Sequence, residues 1–421
     1  MAREKKGLFG SSARHDYTCP FCFNVIDLNN IHRTCTNPAC AREFAKTAFN
    51  SKDRVSRKYV NNDGTQEVDY ERCIYLGKDP MGSNAVFTKA HIIRNNRDTC
   101  DICGRQVFTR VCPICHNMIP QGAEDDENSI FVVLGPKGVG KSHYIAVLIN
   151  QLKEIVAPEF NGVLSAATDG TTIKYRDAYY KRLYDEKRLL PSTQPTNSVE
   201  KREPLIYYLR IYKDNKPQVF TFAFFDTAGE DLATASSMMS KDMSAFLSKA
   251  AGIVFLVDPL QVRYINTRIN AESKPEVGPD VSDILNNISR VIRASKGIKN
   301  GDKVDTPLAV CLTKCDVLLK AAENEEEDKV LFGPASSLYI PRSRGGFDKE
   351  NSDQIDVELR EYVRRTIGGG FIQMLDSFED CRLFAVSALG CNPTGTALPR
   401  AVSPFRVEDP FIWLLHKEGL K

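Results

Sequence analysis

Six short segments of the 421-residue chain are dense in β-branched and aromatic residues: 130–134 (Ile-Phe-Val-Val-Leu), 205–212, 219–225, 252–257, 308–312 and 382–386. Four of them read as near-continuous apolar runs, the pattern of strands covered on both faces of a parallel sheet. Segments 205–212 and 219–225 flank Lys213-Asp214-Asn215-Lys216-Pro217 and are expected to form a hairpin. Apolar positions recur at helical spacing near 143–156, 232–250, 280–295, 352–377 and 408–417. In the first of these they fall at Ile145, Leu148, Ile149, Leu152 and Ile155. Strand and helix alternating from Ser129 onward predict an α/β domain over 129–421, a parallel sheet with helices on both faces. Three stretches of this half, 158–204, 259–279 and 322–350, show no strong period and are expected to be long loop insertions. The last opens on the acidic run 323–328 and reads as a surface insertion.

The first 120 residues lack this rhythm, and their punctuation is cysteine. The chain holds 13 cysteines, eight of them in close pairs before residue 116. Cys19-x-x-Cys22 and Cys35-x₄-Cys40 form one four-sulfur set; Cys100-x-x-Cys103 and Cys112-x-x-Cys115 form another. Two C-x₂-C knuckles place four thiolates around a tetrahedral Zn²⁺. The spacing does not follow the ferredoxin pattern of an iron–sulfur protein. Pairing across the two sets stays open, because sequence does not settle connectivity. The expected organisation is a flexible tail over 1–16, a double zinc-ribbon module over 17–120, an acidic linker over 121–128, and the α/β domain.

Charge narrows the role of that module. Residues 1–122 hold 18 Lys and Arg against 12 Asp and Glu, a balance of +6 in a chain of net charge +2. Two four-thiolate zinc sites would each add about −2, leaving roughly +2. With no dense basic stripe, protein contact or bracing is favoured over nucleic-acid binding, which remains possible. No apolar run is long enough to span a bilayer, and the opening residues hold no signal-peptide core. The protein is therefore expected to be cytoplasmic.

The candidate chemistry sits at strand ends. Gly135-Pro136-Lys137-Gly138-Val139-Gly140-Lys141-Ser142 fits G-x-x-x-x-G-K-[ST] between a strand and a helix, the context this phosphate-binding pattern requires. Its backbone N–H groups and Lys141 would hold phosphates, and the Ser142 hydroxyl would ligate Mg²⁺. Asp226-Thr227-Ala228-Gly229-Glu230 ends an apolar strand. There Asp226 would serve Mg²⁺ and the Gly229 N–H would meet a γ-phosphate. Thr313-Lys314-Cys315-Asp316 follows the fifth strand and Ser387-Ala388-Leu389 the sixth. Asp316 can accept from guanine N1–H and the 2-amino group, donors that adenine lacks at those positions; Lys314 would pack on the base.

Their order and their common placement at strand C-terminal ends resemble the Ras-like GTPases of the translation-factor-related class, over residues 129–417. The resemblance implies a six-stranded sheet with one antiparallel strand. It also implies a switch threonine ahead of the second strand, for which Thr196 is the first choice and Thr193 the second, with Thr168, Thr171 and Thr172 further alternatives. Two departures bear on hydrolysis. Glu230 stands where a water-positioning glutamine is common, and Lys137 stands where glycine is common. Slow intrinsic turnover is expected. Arg176, Arg182, Arg188 and Arg202 are candidates for an arginine acting in cis, although surface charge is the commoner role.

The cysteine module, Cys112-Pro-Ile-Cys-His-Asn-Met-Ile-Pro120, Gly-Lys-Ser-His-Tyr and Val-Asp-Pro (257–259) together resemble the bacterial double-GTPase family, specifically its second GTPase partner. This resemblance implies a GTP/GDP-binding switch with Mg²⁺ and two Zn²⁺, a paired GTPase as protein partner, and a place in bacterial conflict or defence systems. The alternatives are a GTP-binding scaffold that does not hydrolyse, and a GTP-timed nucleic-acid adaptor.

Overall fold

The computed structural model describes residues 16–94, 96–119, 129–191, 204–213, 216–224, 241–268, 275–321 and 329–420. The chain divides into two compact units, Met1–Asp125 and Asp126–Lys421.

In the first unit the strands are short. β1 (Asp16–Thr18) pairs antiparallel with β2 (Val25–Asp27), and β3 (His32–Thr34) lies between β4 (Ile92–Ile93) and β5 (Thr109–Val111). Pairing β3 with β5 joins positions far apart in sequence and brings the two ends of the unit together. Three helices fill the interval, the short Arg54–Arg57 between two longer ones. Pro38–Asn50 begins at Asn37, whose side chain accepts from the Ala39 N–H, with Pro38 in the first turn, where its missing N–H costs nothing. Tyr70–Leu76 is capped by Asp69 and stops at Gly77, in the left-handed region at φ 67°.

In the second unit β6 (Ile130–Leu134), β10 (Ala250–Val257), β11 (Leu308–Leu312) and β12 (Cys381–Ala385) form a four-stranded sheet. All its pairs are parallel, in the order β12-β11-β10-β6. β6 and β11 are buried at every residue, which accounts for their unbroken apolar sequence. The expected hairpin is present as β8 (Leu205–Lys213) and β9 (Lys216–Phe224), in register from Leu205 opposite Phe224.

Among the described residues, hydrogen bonding groups the strands as two sheets and not as one of six: the hairpin joins β7 (Gly162–Ala166) in an antiparallel sheet of order β7-β8-β9, and β9 lies beside β6. The two meet through aromatic rings. Phe222 of β9 lies 5.6 Å from Phe131 of β6, and both pack on Phe411, at 4.6 Å and 5.2 Å. Phe411 belongs to the C-terminal helix Asp409–Lys417, buried from Asp409 to Leu415.

Several sequence expectations are corrected. The expected loop 259–279 carries the helix Arg263–Arg268, and 322–350 carries the short helices Lys329–Phe332 and Ser337–Tyr339. Residues 158–204 are not one long loop. They contain the additional strand β7 (Gly162–Ala166) and a helix Asp169–Tyr175 that continues with wider turns over Arg176–Asp185. The segment 352–377 is two helices, Lys349–Thr366 and Gly369–Leu375, separated by Gly368 at φ 124°, a conformation that a β-carbon disfavours. Among the described residues, no helix is long and apolar enough to cross a membrane.

Candidate functional site: a strand-end cavity and two cysteine tetrads

Four strands deliver their C-terminal ends to one edge of the parallel sheet, the edge at which open α/β sheets bind ligands. After β6 the chain turns through Gly135–Gly140 into the helix Lys141–Gln151. Gly138 and Gly140 hold φ values of 81° and 87°, which let the loop curl while its N–H groups converge. Val139 is buried beneath the loop, and Lys137 and Gly138 face solvent. Lys141 is only 6% exposed, at the helix start where the dipole favours an anion.

The base-reading segments face this loop. After β11, Thr313 Oγ1 donates to the Val139 carbonyl (3.2 Å). Lys314 adopts φ 53° and donates through Nζ to Asp258 Oδ2 (2.6 Å) and to the Gly138 carbonyl (3.4 Å). Asp316 Oδ1 accepts from Ser387 Oγ (2.6 Å), and Ser387 Oγ in turn accepts from the Gly390 N–H (3.0 Å). Burial pushes the Cys315 thiol well above its usual range, so an uncharged side chain anchors the segment between Lys314 and Asp316. A cavity of about 450 Å³ opens among these groups. Gly138 to Gly140 line one side, Lys314 and Asp316 another, and Ser387, Ala388 and Leu389 a third. That volume is in the range of small-molecule and cofactor sites.

Several residues in and behind the cavity wall have no sequence signature. Asp258, fully buried, pairs with Lys314 and caps the turn Pro259–Gln261 by accepting from the Leu260 N–H. Only the Val-Asp-Pro tripeptide hinted at it. His143 Nε2 accepts from the Leu190 N–H (3.0 Å), which ties the phosphate-loop helix to the end of the 158–191 insertion. Leu189 and Cys391-Asn392-Pro393 complete the wall. Leu189 N–H donates to the Thr396 carbonyl, and Leu398 N–H to that of Lys187. Nothing in a sequence pattern joins 187–190 to 391–398.

Of the remaining candidates, Thr196 and Thr193, together with Asp226, Gly229, Glu230 and Arg202, lie outside the described residues. Thr168 caps the helix Asp169–Tyr175, accepting from the Thr171 N–H, and its carbonyl accepts from the Thr172 hydroxyl, so these three threonines have a local structural role. Arg176 pairs with its neighbour Asp177, and Arg182 donates to the Leu189 carbonyl.

The eight paired cysteines do gather in fours, but not as the two sequential sets. Cys19, Cys22, Cys112 and Cys115 form one tetrad; Cys35, Cys40, Cys100 and Cys103 form the other. The first pair joins the last, and the second joins the third, because β3 lies beside both β4 and β5. Three knuckles share one geometry. The N–H of the residue after the second cysteine donates back to the first cysteine's carbonyl, and that residue (Phe23, Gly104 or His116) has φ of 57°, 67° or 53°.

Sulfur separations of 3.7–3.8 Å (Cys19–Cys115, Cys22–Cys112, Cys35–Cys40, Cys35–Cys103) are far from a disulfide. They match the edge of a tetrahedron with Zn–S bonds of about 2.3 Å, which is about 3.8 Å. The donor set therefore fits zinc. Burial pushes the Cys19 and Cys40 thiols up, the penalty that a divalent cation would remove. His116, which follows Cys115, turns to His32 and not to the sulfurs. His32 Nδ1 and His116 Nε2 are 2.9 Å apart, and His116 Nδ1 meets Asp69 at 2.6 Å.

Comparison with known proteins agrees with this site. Residues 130–337 match the family described as Double-GTPase 2. A protein of Mycolicibacterium smegmatis named for ESX-1 scaffolding and assembly, SaeC, is 29% identical over 327 residues, 74% of this chain and 80% of its own length. Among solved structures, the GTP-bound Ski7 GTPase-like domain of S. cerevisiae aligns over 69% of this chain and 50% of its own, at 12% identity and a TM-score of 0.29. A bacterial selenocysteine-specific elongation factor, EF-Sec, aligns over 69% of this chain and 29% of its own, at 15% identity and a TM-score of 0.25. This chain thus spans half the Ski7 domain and less of the factor, and at these scores neither likeness bears on the fold. The match to the family described as Double-GTPase 2 covers both the phosphate loop and the Thr313–Asp316 segment, and so falls on the α/β unit.

Proposed function

We propose that this protein is a guanine-nucleotide switch that binds GTP and GDP and hydrolyses GTP slowly. The observation that supports it best is the convergence of the phosphate loop, Asp316 and the Ser387–Leu389 segment on one cavity. The Ser387 hydroxyl occupies one lone pair of Asp316 and so aims the carboxylate, which selects guanine by accepting from donors that adenine lacks. Lys141 and the loop N–H groups hold the phosphates. Ser142, with Asp226 and Thr196, would hold Mg²⁺, which when bound offsets phosphate charge. Gly229 and Glu230 act at the γ-phosphate. The carboxylate of Glu230 adds negative charge there, which is the reason slow turnover is expected.

In the same reading, residues 17–120 are a double zinc-ribbon module that braces the chain or binds a protein, preceded by a tail over 1–16 and joined through the 121–128 linker. The partner is a protein, and a second GTPase fits the family. The name of the M. smegmatis relative favours a second reading, a scaffold whose nucleotide is bound and not turned over.

Single-turnover hydrolysis by the zinc-loaded protein, with ATP in parallel, separates the two. Conversion of GTP alone supports the switch. Tight GTP binding with no GDP formed supports the scaffold, and equal handling of ATP would sink the guanine assignment.

A further inference from the structure

Three consecutive carbonyls of the phosphate loop each accept a hydrogen bond from a different side chain. Gln261 Nε2 donates to the Lys137 carbonyl (2.8 Å), Lys314 Nζ to that of Gly138 (3.4 Å), and Thr313 Oγ1 to that of Val139 (3.2 Å). A peptide plane carries its C=O and the next residue's N–H on opposite sides. Fixing these carbonyls outward therefore turns the N–H groups of Gly138, Val139 and Gly140 inward, where a phosphate is received. Lys314 and Thr313 belong to the segment already read as base-recognising. Gln261 does not. It comes from the turn after β10, and no motif named it.

The Gln261 side chain sits in a constructed slot. Its turn is capped by buried Asp258. Its own carbonyl accepts from the Gly278 N–H (3.1 Å), and Asn266 Nδ2 ties the Leu260 carbonyl (2.6 Å) to that of Pro275 (3.1 Å). Two glycines make the space. A β-carbon on Gly138 would come within 3.0 Å of Gln261 Nε2, and one on Gly278 within 2.8 Å of Gln261 Oε1. The amide is thus confined between the phosphate loop and the far end of the 259–279 insertion.

We infer that Gln261 is a positioning residue for the terminal phosphates of the nucleotide, and that through it the turn Pro259–Gln261 sets the rate of nucleotide release. Gln261 touches the loop and not the ligand. Its contribution is to hold the Gly138 N–H in the receiving orientation before the phosphate arrives, so the loop need not reorganise on binding. The inference rests on the guanine-nucleotide reading above.

The test uses the full chain with a fluorescent GDP analogue and competition by GMP, which has no β-phosphate for the loop to cradle. Gln261→Met keeps the length and removes the donor; Gln261→Glu places a carboxylate against a carbonyl. Both are expected to speed GDP release by about five- to tenfold, the effect of one hydrogen bond. GMP affinity should stay within about twofold, and the melting temperature of the nucleotide-free protein should not move. Unchanged GDP release in both variants, or GMP weakened as much as GDP, overturns the inference and leaves the nucleotide reading standing. Failure of the unaltered protein to bind GDP overturns both.

Discussion

The cavity's selectivity rests on one carboxylate. Asp316 is held by Ser387, which is itself fixed by the Gly390 N–H, so the carboxylate is aimed before any base arrives. Asp316→Asn keeps the shape and replaces an acceptor with a donor. GTP affinity is expected to fall by about 100-fold or more, and xanthosine triphosphate, which carries an oxygen at the 2-position, to bind in its place. Competition binding measures both, and loss of GTP with no gain of the xanthosine nucleotide removes Asp316 from the base. The groups that touch a ligand were legible in sequence because each sits in a short motif at a strand end. The groups that hold those groups were not. Asp258, His143 and Gln261 act through partners at positions 314, 190 and 137, and only folding brings those positions near.

At the scale of elements, β6 and β11 announced themselves as unbroken apolar runs because both faces are covered. β7 did not. Its five residues, Gly-Val-Leu-Ser-Ala, bury only Leu164, as an edge strand can. The helix Arg176–Asp185 was obscured by a widened turn that breaks the 3.6-residue period. Knuckle spacing identified the eight thiols but not the partition between tetrads, which β3 settles by pairing with both β4 and β5. Cys112→Ser tests the partition. With the nested pairing, bound zinc should drop from two to about one per chain, and Cys19 and Cys22 should become reactive to a thiol reagent, while Cys100 and Cys103 stay protected. Exposure of Cys100 and Cys103 would restore the sequential sets.

At the scale of the whole molecule, the second unit is stitched by charges from distant parts of the chain. Arg342, in the stretch expected to be a surface insertion, contacts Glu159 (2.8 Å), Glu408 (3.7 Å) and Asp409 (3.8 Å). The arginine does not fully offset the burial of so many carboxylates, and desolvation raises both Glu408 and Asp409. A carboxyl whose folded value lies above its unfolded one stabilises the fold at low pH and loses that contribution as pH rises through the folded value. Glu408→Gln is therefore expected to melt at a higher temperature than the unaltered protein at pH 8, with the difference closing as pH falls toward the usual carboxylate range. A constant difference across pH would mean that the amide acts by packing alone.

The nested tetrads also have a mechanical consequence. Cys19 and Cys22 stand at the entrance of the first unit, and Cys112 and Cys115 at its exit. With zinc bound, tension applied at the two ends of that unit would run across the outer metal and leave the inner tetrad outside the load path. The chain between Cys22 and Cys112 would stay slack until a sulfur–zinc bond broke, so the unit should resist pulling as a clasp, with an abrupt single release.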